Sequence, residues 1–179
     1  MATAFTHALV GVALTPALPA SVPRLRAALL LAGLSVLPDA DVLAFAADIS
    51  YGHPLGHRGF THSLLFAAGL GFGVAWLAFR RPPRLTRDWW RLAALLALAT
   101  ASHGVLDALT DAGRGVGFLI PLDDRRFFFP WRPLQASPIG IQAFFSGPAR
   151  EILWDEVRWV WLPVLGVLAI RGLIVRRSR

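Results

Sequence analysis

Residues 26–41, Arg26-Ala-Ala-Leu-Leu-Leu-Ala-Gly-Leu-Ser-Val-Leu-Pro38-Asp39-Ala40-Asp41, join a run of aliphatic side chains to two carboxylates. The apolar character continues past the acids to residue 46. That length is close to the ~20 residues a helix needs to cross ~30 Å of hydrocarbon. Carboxylates at the mouth of such a run are costly unless something compensates them. The stretch therefore predicts a membrane helix and a polar site at its end. Side chains two apart on a regular helix point to nearly opposite sides. Pro38 and the acids are therefore expected to end or interrupt the helix, turning at least one carboxylate inward. Acids at a helix C-terminus oppose the macrodipole, which disfavours a plain capping role.

Working outward, the candidate spans are roughly 4–20, 26–46, 60–79, 89–110 and 157–175. The chain has 179 residues, is 55% hydrophobic and has a mean hydropathy of +0.54, well above an ordinary soluble domain. The expectation is an all-α polytopic membrane protein with about five transmembrane helices, forming one membrane-embedded domain over residues 1–179. The first run is the weakest, because Pro16 and Pro19 shorten it. No Lys or Arg precedes it and Pro19 interrupts the small residues after it, so it reads as a retained helix rather than a removed leader. Gly69, Gly71 and Gly73 predict close helix packing in the third run. The connection 111–156, with Pro121, Pro130, Pro133, Pro138 and Pro148, is expected to be an outer loop ordered by packing.

All 18 basic residues are arginine and the net charge is +7. The arginines gather at the ends of apolar runs, which reads as membrane anchoring; no nucleic-acid partner is expected. Arg24 and Arg26, then Arg80, Arg81, Arg84, Arg87 and Arg91, then Arg171, Arg176, Arg177 and Arg179 fall on one side of a five-span topology. The positive-inside rule makes that side cytoplasmic. The expected location is the cell (inner) membrane, with the polar motifs facing the outer, periplasmic side. Cysteine is absent, so any metal must be held by nitrogen and oxygen.

Those motifs carry the chemistry. Thr6-His7 opens the first run; Asp39 and Asp41 close the second; His57-Arg58-Gly59-Phe60-Thr61-His62-Ser63 opens the third; His103-Gly-Val-Leu-Asp107 closes the fourth. His103 and Asp107 share one helix face, as a metal clamp or a buried hydrogen-bonded pair. All of these residues land at the same end, which argues for one shared site. Glu156 opens the fifth run among Trp154, Trp159 and Trp161 and reads as ligand, base or arginine partner. The segment from Pro121 to Pro133 mixes acids, arginines and aromatics, either shaping the entry of a lipid or anchoring the surface.

Taken in order, these strings resemble the YdjM-type family of predicted membrane-bound metal-dependent hydrolases. The Arg126-Phe-Phe-Phe-Pro-Trp-Arg-Pro133 and Glu156-x-x-Trp159-x-Trp161-Leu-Pro163 segments are similar to those of one branch. The family is distantly similar to zinc-dependent phospholipase C and single-strand-specific nucleases, which implies a phospholipase C-like helical core. It also implies metal ligands drawn from His7, Asp39, Asp41, His57, His62, His103 and Asp107. The later histidines of those enzymes have no counterpart, since Ile152 stands four before Glu156, so one or two ions are expected rather than three. Zn²⁺ suits this donor set and Mn²⁺ is an alternative. The expected activity is phosphoester hydrolysis on a lipid or other amphiphile. Asp39, Asp41 or Glu156 would take the proton of water, and Arg58 or Arg126 would steady the phosphate. Two rival functions are a metal or proton transporter, which needs polar residues through both halves of the spans, and a scaffold with a structural metal.

Overall fold

The structure, a computed structural model, describes residues 1–177 and is all-helical, with no strand among the described residues. Arg179, counted above with the cytoplasmic arginines, lies outside the described residues. The helices are α1 (Ala4–Ala13), α2 (Arg24–Val36), α3 (Leu64–Ala78), α4 (Arg87–Ala108), α5 (Ile141–Ser146), α6 (Ala149–Glu156) and α7 (Leu162–Arg177). Hydroxyl caps start three of them: Thr3 accepts from the Thr6 amide, Ser63 from Phe66 and Thr86 from Trp89. At Pro38, which has no N–H to continue an α-helix, α2 passes into a 3-10 segment, Leu37–Ala47. α6 continues through a π turn, Val157–Trp161, into α7.

α4 is the central helix, packed on α1, α2 and α3. The main core lies between its first half and its neighbours, with Leu31 and Leu34 meeting Ala75, Phe79, Trp89, Leu92 and Leu96. The arginine-bearing ends come together. The Arg26 guanidinium lies 5.4 Å from the Phe79 ring centroid, Arg84 lies 4.3 Å from that of Trp76, and Arg171 donates to the Pro16 carbonyl at 2.7 Å. The polar motifs occupy the other end of the bundle.

The expectation of about five spanning helices is corrected. Among the described residues, two helical units are long and apolar enough to cross a membrane: Arg24–Ala47, with 24 residues, and Ala149–Arg177, with 29. Ala4–Ala17 and Leu64–Ala78 are shorter apolar helices. At 1.5 Å per residue, the 15 residues of α3 cover only ~22 Å. α4 has 22 residues, but Arg87, Asp88 and Arg91 charge its start and its neighbours enclose it. The core helix of a soluble protein is mostly buried, whereas only 6% of the apolar window of the last unit is. Leu165, Val167, Ile170, Leu173 and Ile174 are exposed on it, as lipid-facing side chains are. Within the connection 111–156, α5 and α6 fill the later part. Two isolated bridges, Thr110–Leu134 and Val116–Phe127, fasten the rest.

Of the three α3 glycines, only Gly71 serves close packing. A Cβ there would stand 2.4 Å from the Ala97 backbone nitrogen, whereas Gly69 and Gly73 have nothing within 4 Å. Gly71→Leu is therefore expected to push α3 off α4 and lower stability by roughly 1–3 kcal/mol or more. Gly69→Ala should be neutral or slightly stabilising. Thermal unfolding of the purified protein in detergent compares the two; equal melting temperatures would show that the α3–α4 contact does not depend on Gly71.

Candidate metal centre

The polar end is assembled from α1, the 3-10 segment after α2, the turn Phe60–His62 and the last turns of α4. Asp107 lies at its middle, fully buried. Its Oδ1 accepts from the Ala2 amide at 2.9 Å and lies 3.6 Å from His7 Nε2. Its Oδ2 lies 3.7 Å from His62 Nε2 and 2.9 Å from Arg58 Nε, which is too poorly aligned to count as a hydrogen bond. One helical turn earlier, His103 Nδ1 lies 2.8 Å from the Ser35 carbonyl. That acceptor assigns the proton to Nδ1 and leaves Nε2 facing Asp39 Oδ1 at 3.2 Å.

The 3-10 geometry separates the two acids of Pro38-Asp-Ala-Asp41 by roughly 120° around the axis. Asp39 turns to His103. Asp41 turns the other way, and its two oxygens meet His57 Nδ1 at 2.6 Å, His62 Nδ1 at 3.2 Å, the Thr61 hydroxyl at 2.7 Å and the Arg58 amide at 3.0 Å. Asp41, expected as a direct ligand, is thus a carboxylate held against two imidazoles and stands outside the group that could hold a metal ion. His57 is likewise bound to Asp41 and stands outside the ligand group.

That group is Asp39, His62, His103 and Asp107. One ligand atom from each lies within 4.8 Å of all the others. Asp39 Oδ1, His62 Nε2, His103 Nε2 and Asp107 Oδ2 are all buried and have no hydrogen-bond partner among the described residues. Orphaned buried polar atoms are rare and costly, and four converging on one point are stranger still. Two imidazoles and two carboxylates are the donors a divalent cation takes. The group can hold a metal ion. His7 joins from the side: its ring stacks on His103 with centroids 3.7 Å apart, and both its nitrogens are buried without a hydrogen-bond partner.

Three other expected site residues have partners of their own outside this group. Glu156, expected as ligand or base, accepts from the Thr3 amide and hydroxyl, each at 2.5 Å, and from the Thr6 hydroxyl at 2.7 Å. It fastens the start of α1 to α6, and Trp161 Nε1 completes the link by donating to the Thr6 hydroxyl at 2.7 Å. Arg126, expected on a phosphate, donates to the carbonyls of His57, Tyr51 and His53. Arg58 is buried, in left-handed backbone at φ 61°, and donates to the Ala112 carbonyl and the Thr110 hydroxyl besides facing Asp107. Burial raises the Tyr51 phenol and lowers the Arg126 guanidinium from their ordinary pKa values, so this loop region is partly desolvated. Sequence reasoning missed Ser35, whose hydroxyl bonds the His7 carbonyl at 2.7 Å while its own carbonyl orients His103. A lone serine inside an aliphatic run was the available signal.

The model of the YdjM inner membrane protein family matches residues 1–178 of this chain. The inner membrane protein YbcI of Escherichia coli (strain K12) is 38% identical over 184 residues, covering 99% of this chain and 99% of its own. No solved structure matches the chain. The chain belongs to the YdjM inner membrane protein family.

Elemental analysis tests the ligand assignment. Asp39→Ala, His103→Ala and Asp107→Ala should each reduce bound divalent metal to about a tenth of the wild-type content or less, consistent with loss of a first ligand. Glu156→Gln and Arg126→Gln should retain the metal, because their contacts lie outside the group. Full metal content in Asp107→Ala would remove that residue from the ligand set.

Proposed function

We propose that this protein is a membrane-bound metal-dependent hydrolase that cleaves a phosphoester in an amphiphilic substrate. The observation that carries the proposal is the convergence of four orphaned buried ligand atoms beside a cleft lined by His57. The cleft holds about 360 Å³ and is also lined by Tyr51, Arg58, Gly113 and Ser137. His62, His103, Asp39 and Asp107 would hold the ion. When bound, a divalent cation supplies Lewis acidity, lowering the pKa of water and neutralising charge on a phosphoryl oxygen. Zn²⁺ suits the donors, with Mn²⁺ the alternative. His7 and Asp107 Oδ1 would serve a second ion if two are held.

His57 replaces Asp39, Asp41 and Glu156 as the proton acceptor in this reading. Its Nδ1 is bound to Asp41, so Nε2 is left for the cleft. It would take a proton from water at Nε2 and return it to the leaving oxygen, with Asp41 holding the ring. Arg58 would act indirectly, fixing Asp107 and Thr110 beneath the cleft. The motif order resembles that of zinc-dependent phospholipase C, which favours a phosphoester over other esters. The arginine-rich opposite end favours a cytoplasmic position for those arginines and a periplasmic site. A transport path is disfavoured because the bundle beyond Ser35 and Thr100 is packed with Leu31, Leu92, Leu96 and Ala99.

The test is release of headgroup or phosphate from phospholipids by protein in nanodiscs, with and without a chelator. Chelation should abolish turnover. His57→Gln should lower the rate about 100-fold or more while metal content stays unchanged. The proposal fails if His103→Ala or Asp107→Ala keeps full metal content and full activity on every lipid hydrolysed by the wild type.

A further inference from the structure

A second cavity adjoins the cleft lined by His57 and Arg58. It holds about 390 Å³, within the ordinary range of ligand sites. Its walls are the N-terminal residues and first turn of α1 on one side and the Pro138–Phe145 segment on the other, with Phe5, Ile141, Phe144 and Phe145 in the lining. The lining is almost wholly apolar. Met1, Ser137 and Pro138 line both cavities, so the apolar groove and the polar cleft meet along one wall. The Ser137 amide donates to the Met1 carbonyl at 2.8 Å, which fixes that shared wall.

We propose that this groove is an acyl-chain subsite and that the protein binds a phospholipid with its phosphate in the His57 cleft and one chain between α1 and α5. Three observations converge on a lipid rather than a peptide or a soluble ligand. The polar and apolar cavities adjoin at Met1, Ser137 and Pro138, matching an amphiphile whose two ends differ. Ile141 and Phe145 are largely exposed at 80% and 72%, so α5 presents its apolar face outward as well as into the groove. Gly140, at φ 103° with nothing within 4 Å, opens the rim where α5 begins. A chain could enter there directly from the hydrocarbon without crossing water. Ala4 and Ile141 would then set which chains are accepted, since both face the groove and neither is enclosed by the core.

The inference rests on the hydrolase reading only for the chemistry at the phosphate, and the two can fail separately. The full chain is reconstituted in nanodiscs with a phosphatidic acid carrying a photoreactive diazirine on one acyl chain. A fatty acid methyl ester with the same diazirine serves as the headgroup-free control. Crosslinked peptides are mapped by mass spectrometry. The phospholipid probe should label residues 1–5 and 138–145 at least tenfold above the exposed face of α7, while the ester labels both regions alike. Ala4→Trp, which fills the groove from an exposed position, should abolish the excess and leave metal content unchanged. Ile141→Asp at the rim should do the same by making the groove polar. Equal labelling of α5 and α7 by the phospholipid overturns the subsite, as does an excess that survives both substitutions. Excess labelling without turnover upholds the subsite and overturns only the hydrolase reading.

Discussion

A fully buried carboxylate on α4, Asp107, is approached by Ala2 and His7 from the N-terminal segment and by Arg58 and His62 from the segment before α3. A charge in such a place is affordable only when those approaches are held in register. The rest of the polar end can be understood as the means of holding them. Glu156 clamps the start of α1, so Ala2 and His7 stay in reach. Thr110 and Ala112 receive the Arg58 guanidinium, so its Nε stays beside the carboxylate. Asp41 gathers His57, Thr61 and His62, so the turn that carries His62 keeps its direction. Each clamp uses groups that a single residue cannot supply, and together they leave four ligand atoms aimed at one another with nothing between them. Electrostatics alone would not choose that arrangement, since Asp39 and Asp107 repel. A cation shared between them would reverse the sign of that repulsion.

The membrane setting sharpens the point. Where surrounding side chains are aliphatic, an unpaired polar atom has no water to fall back on. The core below the site, from Leu31 across to Leu92 and Leu96, is apolar save for Trp89 Nε1, which is buried without a hydrogen-bond partner among the described residues. The buried histidines and aspartates gather at one end, and the arginines that contact Phe79, Trp76 and Pro16 mark the opposite end. This division explains how a small bundle supports a buried polar site: one half supplies packing and the other is free to be organised by hydrogen bonds and ion pairs.

Much of this was legible in the sequence because cost is legible. Histidines and aspartates at the mouths of apolar runs are conspicuous, and the alternation of run directions was enough to bring His7, Asp39, His62, His103 and Asp107 to one end. Helix count was less legible. Apolar runs reveal greasy surface but do not say whether that surface meets lipid or another helix, and α3 and α4 spend theirs largely on each other. Roles within the site were the least legible. Asp39 and Asp41 are chemically identical and two residues apart, and either helical geometry would part them; which one faces His103 and which faces His57 is set by how the 3-10 segment packs. Arg126 and Glu156 carry the right charge for catalysis, but backbone carbonyls and threonine donors, invisible in a motif, had already claimed them.

Backbone groups therefore decide which acids and bases in this chain remain available for chemistry. The carbonyl of Ser35 holds His103 by Nδ1, the carbonyls of Tyr51, His53 and His57 absorb Arg126, and the amides of Ala2 and Arg58 occupy one oxygen each on Asp107 and Asp41. Ser35 is the sharpest instance, since its hydroxyl binds α1 through the His7 carbonyl while its own carbonyl binds α4. A movement of α2 would disturb both histidines together, through atoms that belong to neither of them. The geometry of the ligand group is thus tied to helix packing through the backbone, so substitutions in the aliphatic core facing α2 can alter the metal centre without touching a ligand.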